Sequence, residues 1–207
     1  ICFGGCPGLR NVLRWSGSEQ GVAVPECWSA AHYLTSPERD NVTCDSPGDP
    51  DDPLWAPVEV DMPVRDVLFS DMAAWMYMDG KEAATYSGDY LFARYLTSVG
   101  RNANLLIGCL PNRLGLISED QQKSFRELGD RVRRELGIHL AQATVPDAEG
   151  TLEIRFPQPV DVRYAEFTEE IADGQKVLEW VLETRWPEFW CEKDGVDRWI
   201  PLAQGQS

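Results

Sequence analysis

The residues between Tyr86 and Gly137 follow the order helix, strand, helix, and this order constrains the fold more than any other feature of the sequence. Apolar residues at helical spacing predict a helix over Tyr86–Val99, with Gly100 as its stop. The continuous apolar run Asn104–Leu110 predicts a parallel strand buried on both faces. Ser118 and Gln121 form a capping-box pattern that begins a second helix, which Gly137 ends. This succession favours an α/β layer or barrel.

Two further strands are predicted before this region. Asn11–Trp15 has the pattern of a short strand that ends just before a glycine-rich loop. In Trp55–Met62, valines alternate with Glu59 and Asp61, which predicts another strand that ends in carboxylates. The residues between these strands, 25–53, are rich in proline and aspartate and predict a long irregular connection.

The pattern changes after about residue 143. Alternating apolar and polar residues predict short strands at Leu152–Phe156, Val160–Tyr164 and Val177–Leu182, with proline and glycine between them. We therefore predict two domains, residues 1–143 and residues 144–207, the second a β-sandwich. A sandwich domain has roughly 100 residues, and the sequence opens on Ile1 without an initiator methionine or a leader. We expect both ends to continue in a longer protein.

The charge balance excludes one class of partner. The chain has 34 acidic and 19 basic residues, a formal charge of −15. Such a charge repels a phosphate backbone, so we do not expect nucleic acid as a partner. No run approaches the roughly 18 apolar residues of a membrane span, so none is predicted. The eight tryptophans suit a sugar ligand, whose apolar faces stack on rings, but tryptophans also fill cores.

Cysteine and histidine do not predict a metal site. The six cysteines form no C-x-x-C pair and the sequence has only two histidines, which disfavours structural zinc. Cys2 and Cys6 could pair if the chain is exported; unpaired thiols are the alternative. No nucleotide or flavin motif occurs either, so we predict no cofactor.

Residues 13–23 hold one carboxylate, Glu19, between two glycines and close to a tryptophan. Gly17 and Gly21 can take backbone conformations that other residues rarely reach, and they let a ligand approach the main chain. Trp15 offers an apolar wall, and desolvation by such a wall raises the pKa of a nearby carboxyl. A carboxyl that stays protonated near neutral pH is a general acid. These residues alone leave two interpretations of Glu19 open: a general acid, and a solvated loop glutamate, which is the commoner case.

Several blocks occur in order along the chain: Arg14–Gly21, Leu54–Asp61, Ser98–Leu106, and Glu170–Val177 with Trp199–Ser207. They resemble, in turn, the motifs R-W-x-G-x-E-x-G, W-x-P-x-E-x-D and S-V-G-R-N-x-N-L-L, and the E-x-I-x-x-G-Q-x-V and W-x-x-x-A-x-G-x-S motifs of an appended sandwich. These are motifs of glycoside hydrolase family 29, the α-L-fucosidases, in particular the subgroup that prefers α-1,3/1,4-linked fucose. An ordered set that spans nearly the whole chain is far more specific than any single block.

The resemblance implies an α/β fold: the C-terminal part of a (β/α)8-type (TIM-like) barrel, followed by an incomplete β-sandwich domain. Active sites of such barrels lie at the carboxyl ends of the strands, where the pattern puts Glu19. The implied activity is that of a retaining exo-α-L-fucosidase acting on fucosylated oligosaccharides or glycoconjugates, without metal or other cofactor. Glu19 matches the acid/base. The nucleophilic Asp would precede Ile1, so these residues alone are expected to be inactive. The family's usual substrates imply an extracellular or periplasmic protein, lysosomal in a eukaryote.

Four further residues are candidate substrate ligands: Trp15, Trp55, Glu59 and Asp61. Trp55 either stacks on the sugar or fills the barrel mouth. Glu59 either bonds a sugar hydroxyl or forms a salt bridge with Arg65. Three other polar residues are interpreted as structural, namely Arg14 as the partner of a carboxylate, and Asn102 and Asn104 as caps of backbone groups.

The sequence also departs from the family pattern. Val64–Asp71 stands where the subgroup has an I-R-P-G-W-F-Y-H-like segment, and the nearest aromatic cluster is Trp75–Tyr77. This leaves the linkage preference open. Ile107–Pro111 replaces the commoner L-N-x-P-P. Two other classes of function remain open: a catalytically inactive carbohydrate-binding relative, and a structural α/β protein in which Glu19 is solvated.

Overall fold

The computed structural model describes residues 13–15, 19–31, 48–52, 54–65, 74–80, 85–143, 150–169, 176–185 and 199–206. Seven strands and two α-helices occur within these ranges. The strands are β1 (Arg14–Trp15), β2 (Ala30–Ala31), β3 (Leu54–Trp55), β4 (Val58–Pro63), β5 (Ala103–Gly108), β6 (Glu179–Arg185) and β7 (Trp199–Gln206); the helices are α1 (Gly88–Leu96) and α2 (Glu119–Leu136).

A parallel sheet with the order β1-β4-β5 is the centre of the structure. Trp15 lies opposite Glu59, and Glu59 lies opposite Asn104 on the other side. All three strands run in the same direction, but their carboxyl ends are staggered: β1 ends at Trp15, opposite the second residue of β4 and of β5, four residues before each of those strands ends. Glu59 therefore lies near the start of β4 and not, as predicted, at its end. The predicted parallel strand after α1 and the predicted strand with alternating valines are both confirmed.

The two faces of this sheet differ. Val58, Val60, Met62 and Val64 point to one face and are buried, at 0–2% exposure. Val58 and Val60 pack with Ala23, Cys27 and Ala103 in the core. The opposite face carries the alternate residues of β4 and β5, and there Asn104 and Leu106 are exposed. The prediction that β5 is buried on both faces is therefore wrong: β5 is the edge of the described sheet, and its second face lacks a cover in the described part of the chain.

Helix α1 begins as local capping dictates and ends earlier than predicted. The Ser87 hydroxyl accepts a hydrogen bond from the Tyr90 N–H. The helix ends at Leu96, before Gly100, because the chain tightens into a 3₁₀ turn over Val99–Arg101 and then turns at Asn102, whose φ is +64°. This turn leads directly into β5.

Helix α2 has the predicted bounds, with Ser118 as its N-cap and Gly137 as its C-cap. The capping box is only half formed. Instead of reaching back to the Ser118 N–H, the fully buried Gln121 side chain pairs with the backbone of Leu110, accepting from its N–H at 2.8 Å and donating to its oxygen at 3.1 Å. This pair fixes the start of α2 against the chain that leaves β5.

After residue 143 the described chain has less regular structure than the sequence predicts. Residues 150–169 contain no strand, so the strands predicted at Leu152–Phe156 and Val160–Tyr164 are not found. The third predicted strand is present as β6, shifted to Glu179–Arg185, and it pairs antiparallel with β7. The Tyr164 ring packs edge-on against Phe92 of α1 at 6.4 Å. The division into residues 1–143 and 144–207 stays a prediction.

Among the described residues, no helix is both long and apolar enough to cross a bilayer. Cys27 and Cys109 are free thiols, and the other four cysteines lie outside the described residues.

Candidate active site

The loop that carries Glu19 leaves the carboxyl end of β1 and is held at both ends against β4. Before the loop, Trp15 lies beside Glu59 in the parallel ladder. After the loop, the Gly21 N–H donates to the Asp61 carbonyl oxygen at 2.9 Å. Glu19 itself is half-buried. Glu19 therefore follows the carboxyl end of β1 and lies two residues before Gly21, where the chain returns to β4.

Trp15 and Asp61 are brought together on the open face of the sheet. The Trp15 indole Nε1–H donates to Asp61 Oδ1 at 2.8 Å, across 46 residues of sequence. The sequence predicts Trp15 as a wall for Glu19, but this contact directs the polar edge of its ring to Asp61.

Gly21 makes this close return possible. Its φ is +67°, a region that favours glycine. A Cβ added there would lie 2.8 Å from Met62 Sδ and 3.3 Å from Leu105 Cδ1. The glycine therefore lets the end of the Glu19 loop lie directly on β4 and β5.

Glu59 lies on the same face of β4 as Asp61 and is only 6% exposed. Its Oε1 is buried without a hydrogen-bond partner among the described residues. Burial raises the pKa of Glu59, and the neighbouring Asp61 charge raises it further. The alternative salt bridge with Arg65 is not formed, since all three guanidinium nitrogens of Arg65 are also buried without a partner in the described structure.

Sequence reasoning missed the position of Arg65, which it considered only as a partner of Glu59. The side chain is fully buried just beyond the carboxyl end of β4, with Cζ 6.0 Å from the centre of the Tyr77 ring. Arg65 is six residues from Glu59 and four from Asp61, and such even spacing in extended chain puts all three on one face, so this parity was a usable signal. The Trp75 ring packs against Gly108 at the end of β5, where an added Cβ would lie 3.0 Å from it.

Trp55 is not brought to this edge. It lies in β3, which pairs antiparallel with β2 on the amino-terminal side of β4, and it is 60% exposed. Of the predicted ligands, the structure therefore groups Trp15, Glu59 and Asp61 near the Glu19 loop.

The remaining polar residues of the motifs hold the backbone, as predicted for Asn102 and Asn104. Asn102 Nδ2 donates to the Cys27 oxygen at 2.8 Å, and Asn104 Nδ2 to the Val58 oxygen at 3.1 Å. Arg101 Nη1 donates to the Ala23 oxygen at 2.7 Å. Arg14 Nη2 donates to the Trp28 oxygen at 3.0 Å; burial lowers the pKa of Arg14, and the nearby Cys27 and the Asp52 carboxylate oppose that shift.

The described residues contain no cluster of three or more His, Cys, Asp or Glu side chains that could hold a metal ion. Near the carboxyl end of β1 they offer three carboxyl groups in different environments: Glu19 in a loop, Asp61 bonded to an indole, and Glu59 buried. Carboxyl groups held in different environments can perform separate acid and base roles.

Comparison with known proteins gives one consistent result. Alpha-L-fucosidase 1 of Arabidopsis thaliana is 25% identical over 226 residues, which cover 93% of this chain and 42% of the relative. A crystal structure from Bacteroides thetaiotaomicron, provisionally described as an α-L-fucosidase, matches at a TM-score of 0.75 and 25% identity, over 95% of this chain and 42% of that one. No protein-family model matches.

A third match is to the fold. A GH29 fucosidase mutant of Ruminococcus gnavus, solved in complex with fucose, has a TM-score of 0.62 and 20% identity, over 94% of this chain and 43% of that one. The comparisons confirm the resemblance to family 29 α-L-fucosidases and are consistent with an α/β fold. The chain spans less than half the length of these relatives.

Proposed function

We propose that the full-length protein containing this chain is a retaining exo-α-L-fucosidase and that Glu19 is its acid/base. The observation that carries this proposal is the anchoring of the Glu19 loop at the carboxyl end of β1, with Trp15 and Gly21 both bonded to β4. Carboxyl ends of parallel strands are where barrel enzymes hold their reacting groups.

The proposed reaction has two displacements. In the first, a carboxylate nucleophile attacks the anomeric carbon of fucose while the bond to the leaving oxygen breaks, and Glu19 gives its proton to that oxygen. In the second, the Glu19 carboxylate takes a proton from water, whose oxygen attacks the same carbon and releases the nucleophile. We propose that the nucleophile lies outside these 207 residues, and that these residues alone do not turn over substrate.

The substrate class follows from the same resemblance. We propose a terminal α-L-fucose on an oligosaccharide or glycoconjugate, bound on the open face of the sheet with Trp15, Glu59 and Asp61 close to it. The finer architecture is proposed too: residues 1–143 complete a (β/α)8-type barrel, and residues 144–207 begin a β-sandwich. We also propose that the protein acts outside the cytoplasm.

The test compares the full-length protein with Glu19→Gln on a fucosylated trisaccharide, following fucose release and, by proton NMR, the first anomer formed. We expect the wild type to release α-L-fucose, the retained anomer. Glu19→Gln should bind fucose but lose turnover by about 100-fold or more. Glu26→Gln is the matched control, because Glu26 is an exposed glutamate of the same segment.

Full activity of Glu19→Gln would contradict the assignment of the acid/base. Release of fucose as the β anomer would contradict the retaining mechanism. A wild type that is stabilised by L-fucose in a thermal-shift assay but releases no fucose would instead support a carbohydrate-binding relative.

A further inference from the structure

A single residue of β4 holds both ends of the Glu19 loop. The Asp61 side chain accepts the Trp15 indole N–H through Oδ1, at 2.8 Å. The Asp61 backbone oxygen accepts the Gly21 N–H, at 2.9 Å. Trp15 is the last residue of β1, and Gly21 is where the chain returns to β4.

The strand register explains why one residue can do both. Trp15 pairs with Glu59, and Asp61 is the next residue of β4 on that face. Its side chain therefore stands just beyond the end of β1, within reach of the Trp15 ring. The Asp61 carbonyl oxygen points sideways in the plane of the sheet. If β1 continued beyond Trp15, an N–H of that strand would bond this oxygen. Gly21 supplies that N–H after the loop.

We infer that Asp61 is a positioning residue for Glu19, acting through the Trp15 indole, and not a ligand of the sugar. This inference rests on the proposed function, because it concerns the placement of the proposed acid/base. Displacement of a catalytic group by about 1 Å can cost on the order of 100-fold in rate. A loop closed by two hydrogen bonds to one residue keeps that displacement small.

Three variants of the full-length protein test the inference. Asp61→Ala removes the acceptor, Trp15→Phe removes the donor and keeps a ring, and Asp61→Asn keeps an acceptor oxygen. On a fucosylated trisaccharide we expect Asp61→Ala and Trp15→Phe each to lower kcat by about 10- to 100-fold with little change in KM. The double variant should lose no more than either single variant. Asp61→Asn should lose about ten-fold less than Asp61→Ala.

A second readout is independent of activity. With ¹⁵N-labelled tryptophan, the Trp15 indole N–H signal, assigned by its absence in Trp15→Phe, should be protected from exchange in the wild type and in Asp61→Asn. Asp61→Ala should lose this protection. This measurement also shows whether Asp61→Ala has failed to fold, because the other indole signals then change as well. If Asp61→Ala does not fold, the kinetic test uses Trp15→Phe alone.

The inference would be overturned by a wild-type Trp15 signal in Asp61→Ala. It would also be overturned if Asp61→Ala and Asp61→Asn both raised KM while Trp15→Phe behaved as wild type. This pattern is expected if Asp61 is a ligand of the sugar. These failures differ from failure of the proposed function. If Glu19→Gln stays active, the proposed function fails; if Glu19→Gln is inactive but kcat is unchanged in Asp61→Ala and Trp15→Phe, only the inference fails.

Discussion

Two buried ionisable side chains on one face of β4 define the electrostatics of the candidate site. Glu59 has a buried oxygen and Arg65 has three buried nitrogens, all without hydrogen-bond partners in the described structure. Burying such groups without partners costs free energy. Because of this cost, each side chain should have a measurable effect on stability. Ionisable groups that are buried in this way are typical of functional sites.

Glu59 should make stability depend on pH. Its pKa is raised in the folded state by burial and by Asp61, so the folded protein holds its proton more tightly than the unfolded chain does. Stability is then lost as the pH rises from the ordinary glutamate pKa, about 4.3, through the folded value. Glu59→Gln cannot ionise, so its stability relative to wild type should increase over that range. Urea unfolding at several pH values measures the difference.

Glu26→Gln is the control for this measurement, because Glu26 is exposed; its difference from wild type should stay flat. A constant difference for Glu59→Gln would show that Glu59 ionises equally well in the folded and unfolded protein.

Arg65→Met should stabilise the fold, by about 1 kcal/mol or more, because it replaces a buried charge that has no hydrogen-bond partner in the described structure with an apolar chain of similar length. Arg101→Met is the matched control. The Arg101 guanidinium donates to the Ala23 oxygen at 2.7 Å, so its loss should cost about 1–3 kcal/mol. Both values come from urea unfolding. Equal destabilisation by the two substitutions would show that Arg65 contributes to stability despite its lack of hydrogen bonds.

At the scale of elements, the site depends on how the β1 loop returns to β4 and β5. The Gly21 backbone, at φ +67°, lies on Met62 and Leu105. The turn before β5 holds the following segment: Asn102 bonds the Cys27 oxygen, and Arg101 bonds the Ala23 oxygen. Arg101 and Asn102 therefore hold the backbone of residues 23–27, which follow the Glu19 loop.

Gly21→Ala should destabilise the protein by roughly 1–3 kcal/mol, since alanine is strained at this φ and its Cβ would meet Met62 Sδ at 2.8 Å. Gly100→Ala is the control, because nothing lies within 4 Å of a Cβ added there; its effect should stay within about 0.5 kcal/mol. Urea unfolding of both variants measures the difference. If Gly21→Ala were as stable as Gly100→Ala, the loop would not be held as closely to β4 as described.

Elements set by local chemistry were predictable, and contacts set by distant residues were not. Helix α2 has its predicted bounds because Ser118 and Gly137 act on their own neighbours. Gln121 could not be predicted, since its partner Leu110 becomes available only after the chain folds. Likewise, residue patterns indicated Glu19, but the Trp15–Asp61 bond joins residues 46 positions apart. No local pattern specifies such a pair.

At the scale of the whole molecule, charge and family resemblance agree. A formal charge of −15 suits a neutral ligand better than a polyanion, and the similar proteins carry the name fucosidase. The open face of the sheet holds Glu59 and Asp61 beside the Glu19 loop. Our central proposal is that Glu19 gives a proton to the leaving oxygen of a fucoside.

The most direct test of this claim is the leaving-group dependence of Glu19→Gln in the full-length protein. An aryl fucoside with an acidic phenol needs little protonation, whereas a trisaccharide needs it fully. We predict that Glu19→Gln loses about 100-fold or more in turnover of the trisaccharide and much less in the first step with the aryl fucoside. Added azide should restore turnover of the aryl fucoside, and the product should be fucosyl azide with the anomeric configuration of the substrate. Equal losses on both substrates, without azide product, would contradict the claim.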